Sequence, residues 1–456
     1  MKILMTGATG LIGKQLGKKL SQEGHEIIVI SRQRKKAELE LPFQCQVIEA
    51  DISKAPLKEK INVDVVFHLL GESVSQRRWN DEVKKDILDS RVESTKNLGA
   101  SLQLGVKHFI SASAIGVYGD RPKESLSEKS QGDKSFLSEV CESWEKAVSS
   151  IASSIPEVKI SIVRIGIVLA DQGGALAQML RPFKAGVGGS LGSGNQFMSW
   201  IHIEDLVSLF TFIMNQKLTG VFNGVSPAPV MNKTFSRELA NTLRRPLGLP
   251  IPAFMLKILF GEMSRVILSD QKVYPERVIQ SGFSYKFTSL REALEDLLKN
   301  QKKSEECFVV EQFIPQPRSK VFDFFCEAKN LEEITPSHLN FKILKSSTEN
   351  IQKGTLIDYR LKIRGIPVYW KTLIEDWSPI ERFIDTQIEG PYSLWHHTHE
   401  FFDVPGGTLM RDTVRYKVPL DYVGWISSIF LVSKEVGAIF DYRKKVVYQK
   451  FYNRNS

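Results

Sequence analysis

The stretch TGATGLIG, residues 6–13, decides how the first part of this chain folds. It follows the apolar run KILM and precedes a segment whose apolar residues recur at helical spacing. The first glycine of the pattern GxxGxxG permits a tight turn, the second lets backbone approach a pyrophosphate, and the third lets the helix pack on the strand. The N-terminus of the helix attracts phosphate groups. The sequence therefore predicts a dinucleotide site in preference to a bare structural turn. The predicted contacts are Gly7, Thr9, Gly10, Leu11, Ile12 and Gly13.

The end of the second apolar run, EIIVISR, bears on which dinucleotide is bound. An acidic residue at this point would hold a ribose 2′-hydroxyl, but Ser31 and Arg32 stand there instead. A cation suits a 2′-phosphate, so the sequence favours NADP(H) over NAD(H). The alternative is that Arg32 is a solvated charge in a loop and contacts no phosphate. Asp51, after the third run, either accepts a hydrogen bond from the adenine amine or caps a turn.

The order of apolar runs and helical patterns indicates two folding classes along the chain. In the first 220 residues, strand-like runs alternate with helical patterns near 11–22, 80–103 and 136–153, which predicts an α/β fold with a doubly wound parallel sheet of the Rossmann type. The later runs, from CFVVEQFIP to TLMRDTVRYKV, predict an α+β fold with a curved antiparallel sheet and a final helix at about 426–450. The predicted divisions are a Rossmann domain at 1–245, a closing subdomain at 246–297, a polar linker at 298–306 and a second domain at 307–456.

Composition narrows the classes of function. The 456 residues carry a formal charge of +9, with no zinc-finger spacing and no dense basic stripe, so we expect a small-molecule ligand and no nucleic acid. The four cysteines are far apart and form no CxxC, which argues against a metal site or a disulfide framework and fits a reducing compartment. The chain shows no 18-residue apolar run and begins on a strand-like segment without signal-peptide character. We expect a cytoplasmic protein without stable membrane insertion.

Residues 1–295 resemble the extended short-chain dehydrogenase/reductase family. The matching stretches include TGATGLIG, HLLGESV, DSRVEST, ISASAIGVYG and GGSLGSGNQFMSWIHIEDL. The last of these is especially similar to a subgroup described as nucleoside-diphosphate-sugar epimerase-like, some members of which carry a cell division inhibitor label. The resemblance implies contacts to the cofactor from Leu70, Gly71, Glu72 and Arg91. It also implies that Arg78, Trp79 and His202 border the substrate side. Two alternatives are equally open: Arg78 is part of a solvated helix start, and His202 is satisfied in a turn by Asp205.

The helix FLSEVCESWEKA, 136–147, departs from the family pattern. Relatives carry there a Tyr and, four residues later, a Lys, and the Lys cation lowers the Tyr pKa for proton transfer. Cys141 and Glu145 take these places, with Ser113, 28 residues upstream, as the candidate hydroxyl. An anion at Glu145 raises the pKa of a neighbouring acid, and Cys141 beside it is a poor thiolate. This leaves Tyr118 or Glu145 as the proton donor. The alternative for Glu145 is a structural carboxylate that caps the core.

Residues 307–455 resemble the START-like, polyketide-cyclase-like helix-grip superfamily, through PRSKVFDFFCEAKNLEEITP and GPYSLWHHTHEF. The resemblance implies an apolar cavity for a hydrophobic ligand. His397 and His399 face the same side of their strand, so they either orient a ligand or lie on the surface. No third ligand is evident, and no metal site is expected.

Two functions are compatible with these features. The first is an NADP(H)-dependent oxidoreductase or epimerase without the usual Tyr–Lys pair, supplied with substrate by the second domain. The second is a non-catalytic NADP(H)-binding sensor or scaffold tethered to a lipid-binding module. The resemblance also implies a homodimer packed through the helix at 136–147.

Overall fold

A computed structural model describes residues 1–75, 77–300, 305–419 and 432–452 of the chain. These residues form two compact units. The first contains residues 1–34 and 45–299, and the second contains residues 35–44 and the chain from 300 onward.

The first unit is built on a seven-stranded sheet in which every neighbouring pair of strands is parallel. The strands of this unit are β1 (Lys2–Thr6), β2 (Glu26–Ser31), β3 (Gln46–Glu49), β4 (Val65–His68), β5 (His108–Ala114), β6 (Ser125–Leu126), β7 (Lys159–Ile165), β8 (Ile167–Leu169), β9 (Phe197–Met198), β10 (Trp200–His202), β11 (Gly220–Gly224), β12 (Val230–Met231) and β13 (Lys272–Val273). The order in the large sheet is β11-β7-β5-β4-β1-β2-β3. Strands β1 to β3 extend the sheet in one direction, and β4, β5, β7 and β11 extend it in the other, so the strand order reverses between β1 and β4. In sheets of this kind, ligands bind at the carboxyl ends of the strands beside the point of reversal. The predicted parallel Rossmann-type sheet is confirmed.

Helices cover the sheet and complete the first part of the chain. They are α1 (Leu11–Gln22), α2 (Arg34–Glu40), α3 (Asp81–Ala100), α4 (Phe136–Ser154), α5 (Gly174–Lys184), α6 (Ile203–Asn215), α7 (Asn232–Thr242), α8 (Ala253–Phe260), α9 (Ser264–Leu268), α10 (Glu276–Gln280) and α11 (Leu290–Leu298). A short 3₁₀ turn at Ile115–Tyr118 follows β5. Apolar side chains of the sheet and of α4 form one core, which includes Phe109, Trp144 and Val148. A second core joins α5, α7 and α11.

The second unit is a seven-stranded antiparallel sheet with helices against one face. Its strands, in the order β14-β20-β19-β18-β17-β16-β15, are β14 (Glu306–Ile314), β15 (Lys342–Ser346), β16 (Leu356–Ile363), β17 (Ile366–Ser378), β18 (Arg382–Glu389), β19 (Leu394–Val404) and β20 (Gly407–Lys417). The α-helices that the structure describes beyond residue 305 are α12 (Arg318–Cys326), α13 (Ala328–Glu333) and α14 (Ser433–Tyr452). Val436, Phe440, Val447 and Phe451 of α14 pack into the apolar clusters of this unit.

The predicted start of the final helix, at about 426, lies outside the residues that the structure describes. Within the described residues this helix is α14, Ser433–Tyr452, which includes most of the predicted range up to 450. Among the helices that the structure describes, none has the length and apolar character needed to cross a lipid bilayer.

Candidate functional site

The glycine loop between β1 and α1 has the shape of a phosphate cradle. Gly7 adopts φ +70°, and a Cβ there would lie 2.6 Å from the carbonyl oxygen of Leu69. A Cβ on Gly13 would lie 2.4 Å from the carbonyl oxygen of Gly7, so the helix can approach the strand only without a side chain. Gly10 is the N-cap of α1 and carries no capping side chain, and the first turn holds no acidic residue.

The residues next to these glycines lie at the N-terminus of α1. Thr9 is half-buried in the loop, and Leu11 and Ile12 open α1. The first N–H groups of a helix have no partner within the helix, and the positive end of the helix dipole lies there. All six predicted loop residues therefore surround one helix N-terminus, at the carboxyl end of β1.

The ends of β2 and β3 place a cation and a carboxylate near each other. Arg32 is exposed directly after β2, beside the half-buried Ser31. Asp51 accepts hydrogen bonds from the hydroxyl of Ser53 at 2.5 Å and from its backbone N–H at 3.3 Å. Burial would raise the pKa of Asp51, but the Ser53 hydrogen bonds and the charges of Lys54 and Arg32 hold it below its usual value. The turn-capping interpretation of Asp51 thus has direct support, while its second oxygen lies 3.6 Å from Lys54.

The segment after β4 is held by a half-buried arginine. Arg91 of α3 donates to the carbonyl oxygens of Ile87 at 2.9 Å and of Glu72 at 3.0 Å. The guanidinium carbon of Arg91 lies 5.3 Å from the ring centre of Trp144. A Cβ added to Gly71 would lie 2.9 Å from the same carbon. Burial lowers the pKa of Arg91. Arg91 therefore shapes the backbone of the Leu70–Glu72 segment at the carboxyl edge of the sheet.

The predicted substrate-side residues Arg78 and Trp79 lie in a loop beside the closing subdomain. The indole N–H of Trp79 donates to the carbonyl oxygen of Val74 at 2.8 Å, and its ring meets Phe136 edge-on at 5.1 Å. Arg78 is exposed, and its side chain fills the space over Gly261. The Trp79 contacts are those of a packed loop residue.

Three of the four predicted catalytic residues, Ser113, Tyr118 and Glu145, join Arg164 and Asn223 in a largely buried polar network, which we call the Arg164 cluster. Arg164 of β7 donates to both oxygens of Glu145, at 2.9 and 2.7 Å. Ser113 of β5 donates to Glu145 Oε1 at 2.7 Å. Burial alone would lower the pKa of Arg164, but the hydrogen bonds with Glu145 outweigh it and raise that pKa. Glu145 is a bidentate ion-pair partner, and this geometry argues against its use as a general acid.

Tyr118 belongs to the same network and is fully buried. It donates to Asn223 Oδ1 at 2.7 Å and accepts from Arg164 at 3.0 Å, while the Asn223 amide donates to the carbonyl oxygen of Tyr274. Burial raises the pKa of Tyr118 despite the nearby guanidinium. Its hydroxyl is therefore tied to two protein groups and is a weaker acid than a free phenol.

Cys141 occupies the place of the family tyrosine but is a buried thiol. Burial, and then the charge of Glu145, raises its pKa to about 11. The sequence argument for a poor thiolate agrees with this direction. At neutral pH the side chain is a small, protonated group on the inner face of α4.

His202 caps α6 and is almost completely buried. Its Nδ1 accepts from the backbone N–H of Glu204 at 3.1 Å, and its ring stacks on Phe287 at 3.9 Å. Burial lowers its pKa to about 4. Asp205 instead accepts from the backbone N–H groups of Lys286 and Phe287, so the turn partner expected for His202 has another role.

In the second unit, His397 and His399 point inward and meet two carboxylates and an arginine. We call this group the His397 cluster: Asp385, His397, His399, Asp412 and Arg443. Nε2 of His397 hydrogen-bonds with Asp412 at 2.9 Å, and Nε2 of His399 hydrogen-bonds with Asp385 at 2.8 Å. Arg443 donates to Asp412 at 3.4 Å. Burial alone would lower the pKa of His397, but the neighbouring carboxylates, Asp385 foremost, raise it.

The His397 cluster borders a cavity of about 330 Å³ inside the second unit. Asp385, His397, His399 and Arg443 line it together with apolar and aromatic side chains, among them Phe324, Leu361, Trp370, Phe383, Trp395 and Phe440. A cavity of this size, with mostly apolar and aromatic walls and a smaller number of polar groups, suits a small organic molecule.

Comparison with known proteins assigns the first part of the chain. The model of the NAD dependent epimerase/dehydratase family matches residues 3–223, and a domain of unknown function, DUF1731, matches residues 251–297. The chloroplastic homolog of epimerase family protein SDR39U1 from Arabidopsis thaliana is 36% identical over 306 residues, which cover 66% of this chain and 87% of the relative. The chain belongs to this epimerase family. Epimerase family protein YfhF of Bacillus subtilis is 34% identical over 307 residues and is covered to 99%.

A solved structure extends the likeness to three dimensions. The crystal structure of human epimerase family protein SDR39U1, isoform 2, with NADPH is similar to this epimerase-family chain with a TM-score of 0.59 at 31% identity. The match covers 66% of this chain and all of the human chain. The family assignment thus rests on about two thirds of the chain.

Sequence reasoning missed the partners that complete both clusters. Arg164 stands within the apolar strand VRIGIV, and a lone cation in such a strand is a signal for a buried ion pair. Asp385 and Asp412 lie directly across from His397 and His399 in neighbouring strands. The third ligand-type residue that the sequence analysis did not find is therefore Asp385, which only strand register brings to the histidines.

Proposed function

We propose that the first unit is an NADP(H)-dependent oxidoreductase or epimerase that lacks the Tyr–Lys proton relay of the wider family. The observation that carries the proposal is the exposed Arg32 at the end of β2, next to a glycine loop that leaves the N-terminus of α1 open. The loop offers backbone N–H groups to a pyrophosphate, and Arg32 offers a cation to a 2′-phosphate. The NADPH in the human relative supports the same cofactor here.

The cofactor supplies the hydride, and the protein binds and orients it. Glu145 is held by Arg164 and Ser113, and the thiol of Cys141 keeps its proton at neutral pH. Neither residue takes the family role, so the proton in such a reaction comes from a group outside α4. Arg91 positions the Gly71–Glu72 backbone, where the resemblance puts the nicotinamide ribose.

The bidentate pair between Glu145 and Arg164 favours a second candidate, a non-catalytic NADP(H)-binding sensor. A binding protein needs no proton relay, and a permanent ion pair in its place costs it nothing in function. In either case we propose that the second unit has the START-like helix-grip fold and binds an apolar ligand in its cavity.

Two substitutions test the cofactor assignment. We expect Arg32→Ala to weaken NADPH binding by about 10- to 100-fold, the effect of losing a hydrogen bond between charged groups, and to leave NADH binding unchanged. Gly10→Ala adds a Cβ at the pyrophosphate face and should weaken both dinucleotides. Arg237→Ala, an exposed arginine on α7, is the matched control. Fluorescence titration of the full chain measures each affinity, and equal affinity of the wild type for NADPH and NADH would contradict the NADP(H) assignment.

Turnover separates the two candidates. NADPH absorbance is followed with a broad panel of carbonyl substrates, including nucleoside-diphosphate sugars. Oxidation that persists in Cys141→Ala and in Glu145→Ala, made separately, supports an enzyme whose proton donor lies outside α4, whereas loss of activity in either variant, with NADPH still bound, would restore the helix to the mechanism. Tight binding without oxidation across the panel would leave the sensor as the function.

A further inference from the structure

The arrangement of nitrogen and oxygen atoms in the His397 cluster is that of a metal site with a supporting second layer. Nδ1 of His397 lies 3.3 Å from Asp385 Oδ2, and Nε2 of His399 lies 2.8 Å from the same oxygen. All three ligand-type atoms lie within 4.8 Å of one another. Ligands bound tetrahedrally to one zinc ion at about 2.0–2.2 Å are separated by roughly 3.3–3.6 Å, so the 3.3 Å contact already fits and the 2.8 Å contact would lengthen by less than about 1 Å.

The opposite nitrogens of the two rings converge on a second carboxylate. Nε2 of His397 and Nδ1 of His399 lie 2.9 and 2.8 Å from Asp412 Oδ1, although the second contact is misaligned for a hydrogen bond. Asp412 is buried and is not among the residues that line the cavity, whereas Arg443 lines it and lies 3.4 Å from Asp412 Oδ1. A carboxylate that holds the outer nitrogen of a histidine is the usual support of a metal-bound imidazole.

Protons alone satisfy this arrangement poorly. If both rings donate from both nitrogens, two imidazolium cations face each other with ring centres 3.8 Å apart, and like charges at that distance repel. If only one ring carries two protons, the other still turns a lone pair toward a carboxylate oxygen, and if both rings are neutral, each of them does so. One divalent cation at Asp385 removes both problems, because it accepts the lone pairs and neutralises the carboxylate.

Aromatic rings cover two sides of the site, and another side faces the cavity. Phe383 stacks on His399 at 4.1 Å, and Phe440 meets His397 edge-on at 5.5 Å. The remaining side of the Asp385–His397–His399 group faces the cavity. Two imidazoles and one carboxylate with open positions suit a divalent first-row transition metal such as Zn²⁺ or Fe²⁺.

We propose that Asp385, His397 and His399 bind one divalent first-row transition metal ion, with Asp412 and Arg443 as its second layer and an open coordination position toward the cavity. The site would take an apolar molecule that carries one metal-binding oxygen, such as a carboxylate or a phenol. The proposal is independent of NADP(H) binding by the first unit, since all five residues belong to the second.

The test uses the full chain, stripped with a chelator and dialysed against Zn²⁺. We expect one zinc ion per chain by mass spectrometry of the metal, lost in His397→Ala, in His399→Ala and in Asp385→Asn. His396→Ala is the matched control, because residue 396 faces the other side of the same strand, and it should retain the ion. Asp412→Asn should weaken zinc binding by about 10- to 100-fold, the usual effect of losing a second-layer partner.

A second measurement guards against variants that fail to fold. Co²⁺ added to the wild type should give visible absorption bands of a nitrogen- and oxygen-bound ion, and Zn²⁺ should abolish them by displacement. Zinc should also raise the thermal unfolding temperature of the wild type and of His396→Ala. A wild-type chain that retains no zinc and shows no cobalt bands, or one whose zinc survives in His397→Ala and His399→Ala alike, would overturn the proposal and leave protons as the occupants.

Discussion

The Arg164 cluster and the His397 cluster are both buried groups of charged side chains, yet they differ in how completely they satisfy one another. In the Arg164 cluster, each oxygen of Glu145 faces a guanidinium nitrogen, and the hydroxyls of Ser113 and Tyr118 complete the set. In the His397 cluster, four imidazole nitrogens crowd two carboxylate oxygens, and one side of the group opens on a cavity. The first arrangement is suited to stability, and the second is suited to binding.

The difference also changes how the family resemblance applies. By the resemblance, positions 141 and 145 lie where members of the wider family carry their Tyr and Lys, but in this chain Arg164 and Ser113 hold Glu145, and Cys141 is buried. The cavity beside His397 lies outside the part of the chain that this resemblance covers. The place of a residue in the family pattern therefore does not decide whether its side chain is available for proton transfer in this chain.

The largest expected effect comes from breaking the ion pair of the first cluster. We expect Glu145→Ala to destabilise the first unit by about 3 kcal/mol, because it leaves Arg164 as a buried, unpaired charge. The double variant Glu145→Leu with Arg164→Met should recover most of that loss, since an apolar pair avoids the desolvation of both charges. Urea unfolding, with hydrogen exchange of segments from α4 and β7, measures the change.

The control for this prediction is Glu142→Ala, an exposed position on the same helix, which should stay within about 0.5 kcal/mol of the wild type. If Glu145→Ala is as harmless as this control, the pair is not structural, and the contrast between the two clusters loses its basis. A general-acid role for Glu145 would then return to consideration.

A smaller effect is expected in the second cluster. Arg443→Met should cost about 1–2 kcal/mol, because Asp412 keeps its hydrogen bond with His397 after the guanidinium is gone. The contact of Arg443 with Asp412 is also longer, at 3.4 Å, than the 2.7 and 2.9 Å contacts of Arg164 with Glu145. Hydrogen exchange in segments from β20 and α14 measures the loss, and Lys445→Met, exposed on the same helix, is the control. An effect as large as that of Glu145→Ala would show that the second cluster depends on a single ion pair as the first does.

The elements of both sheets were predictable from sequence because apolar runs and turn residues are local signals. The glycine loop was predictable for the same reason, and the steric limits at Gly7 and Gly13 give it a physical basis. The two clusters were predictable only in part. Cys141 and Glu145 were identified by their spacing, but the pairing of Glu145 with Arg164 depends on how a helix packs on a strand far along the chain.

The His397 cluster shows the same limit more sharply. The spacing of His397 and His399 places them on one face, yet it does not say which face points inward. Asp385 and Asp412 join them through strand register, which depends on the turns between strands and the packing of the whole sheet. Arg443 follows the buried spacing of α14, where a cation would not be expected without a partner.

The smallest expected effect concerns the thiol of Cys141. Burial, and then the charge of Glu145 in the Arg164 cluster, keeps this thiol protonated. Its pKa is raised to about 11, so it contributes stability that is complete below the ordinary thiol value near 9 and is lost as the pH rises through about 11. At pH 8 the native chain should therefore react with iodoacetamide at the half-buried Cys45 well before Cys141. Glu145→Gln removes the second cause of the shift, after burial, and should increase the alkylation rate of Cys141 modestly at pH 9–10. Peptide mass spectrometry measures both rates, and fast alkylation of Cys141 at pH 8 in the folded wild type would mean that the group is open to reagents and that the first cluster is less enclosed than the second.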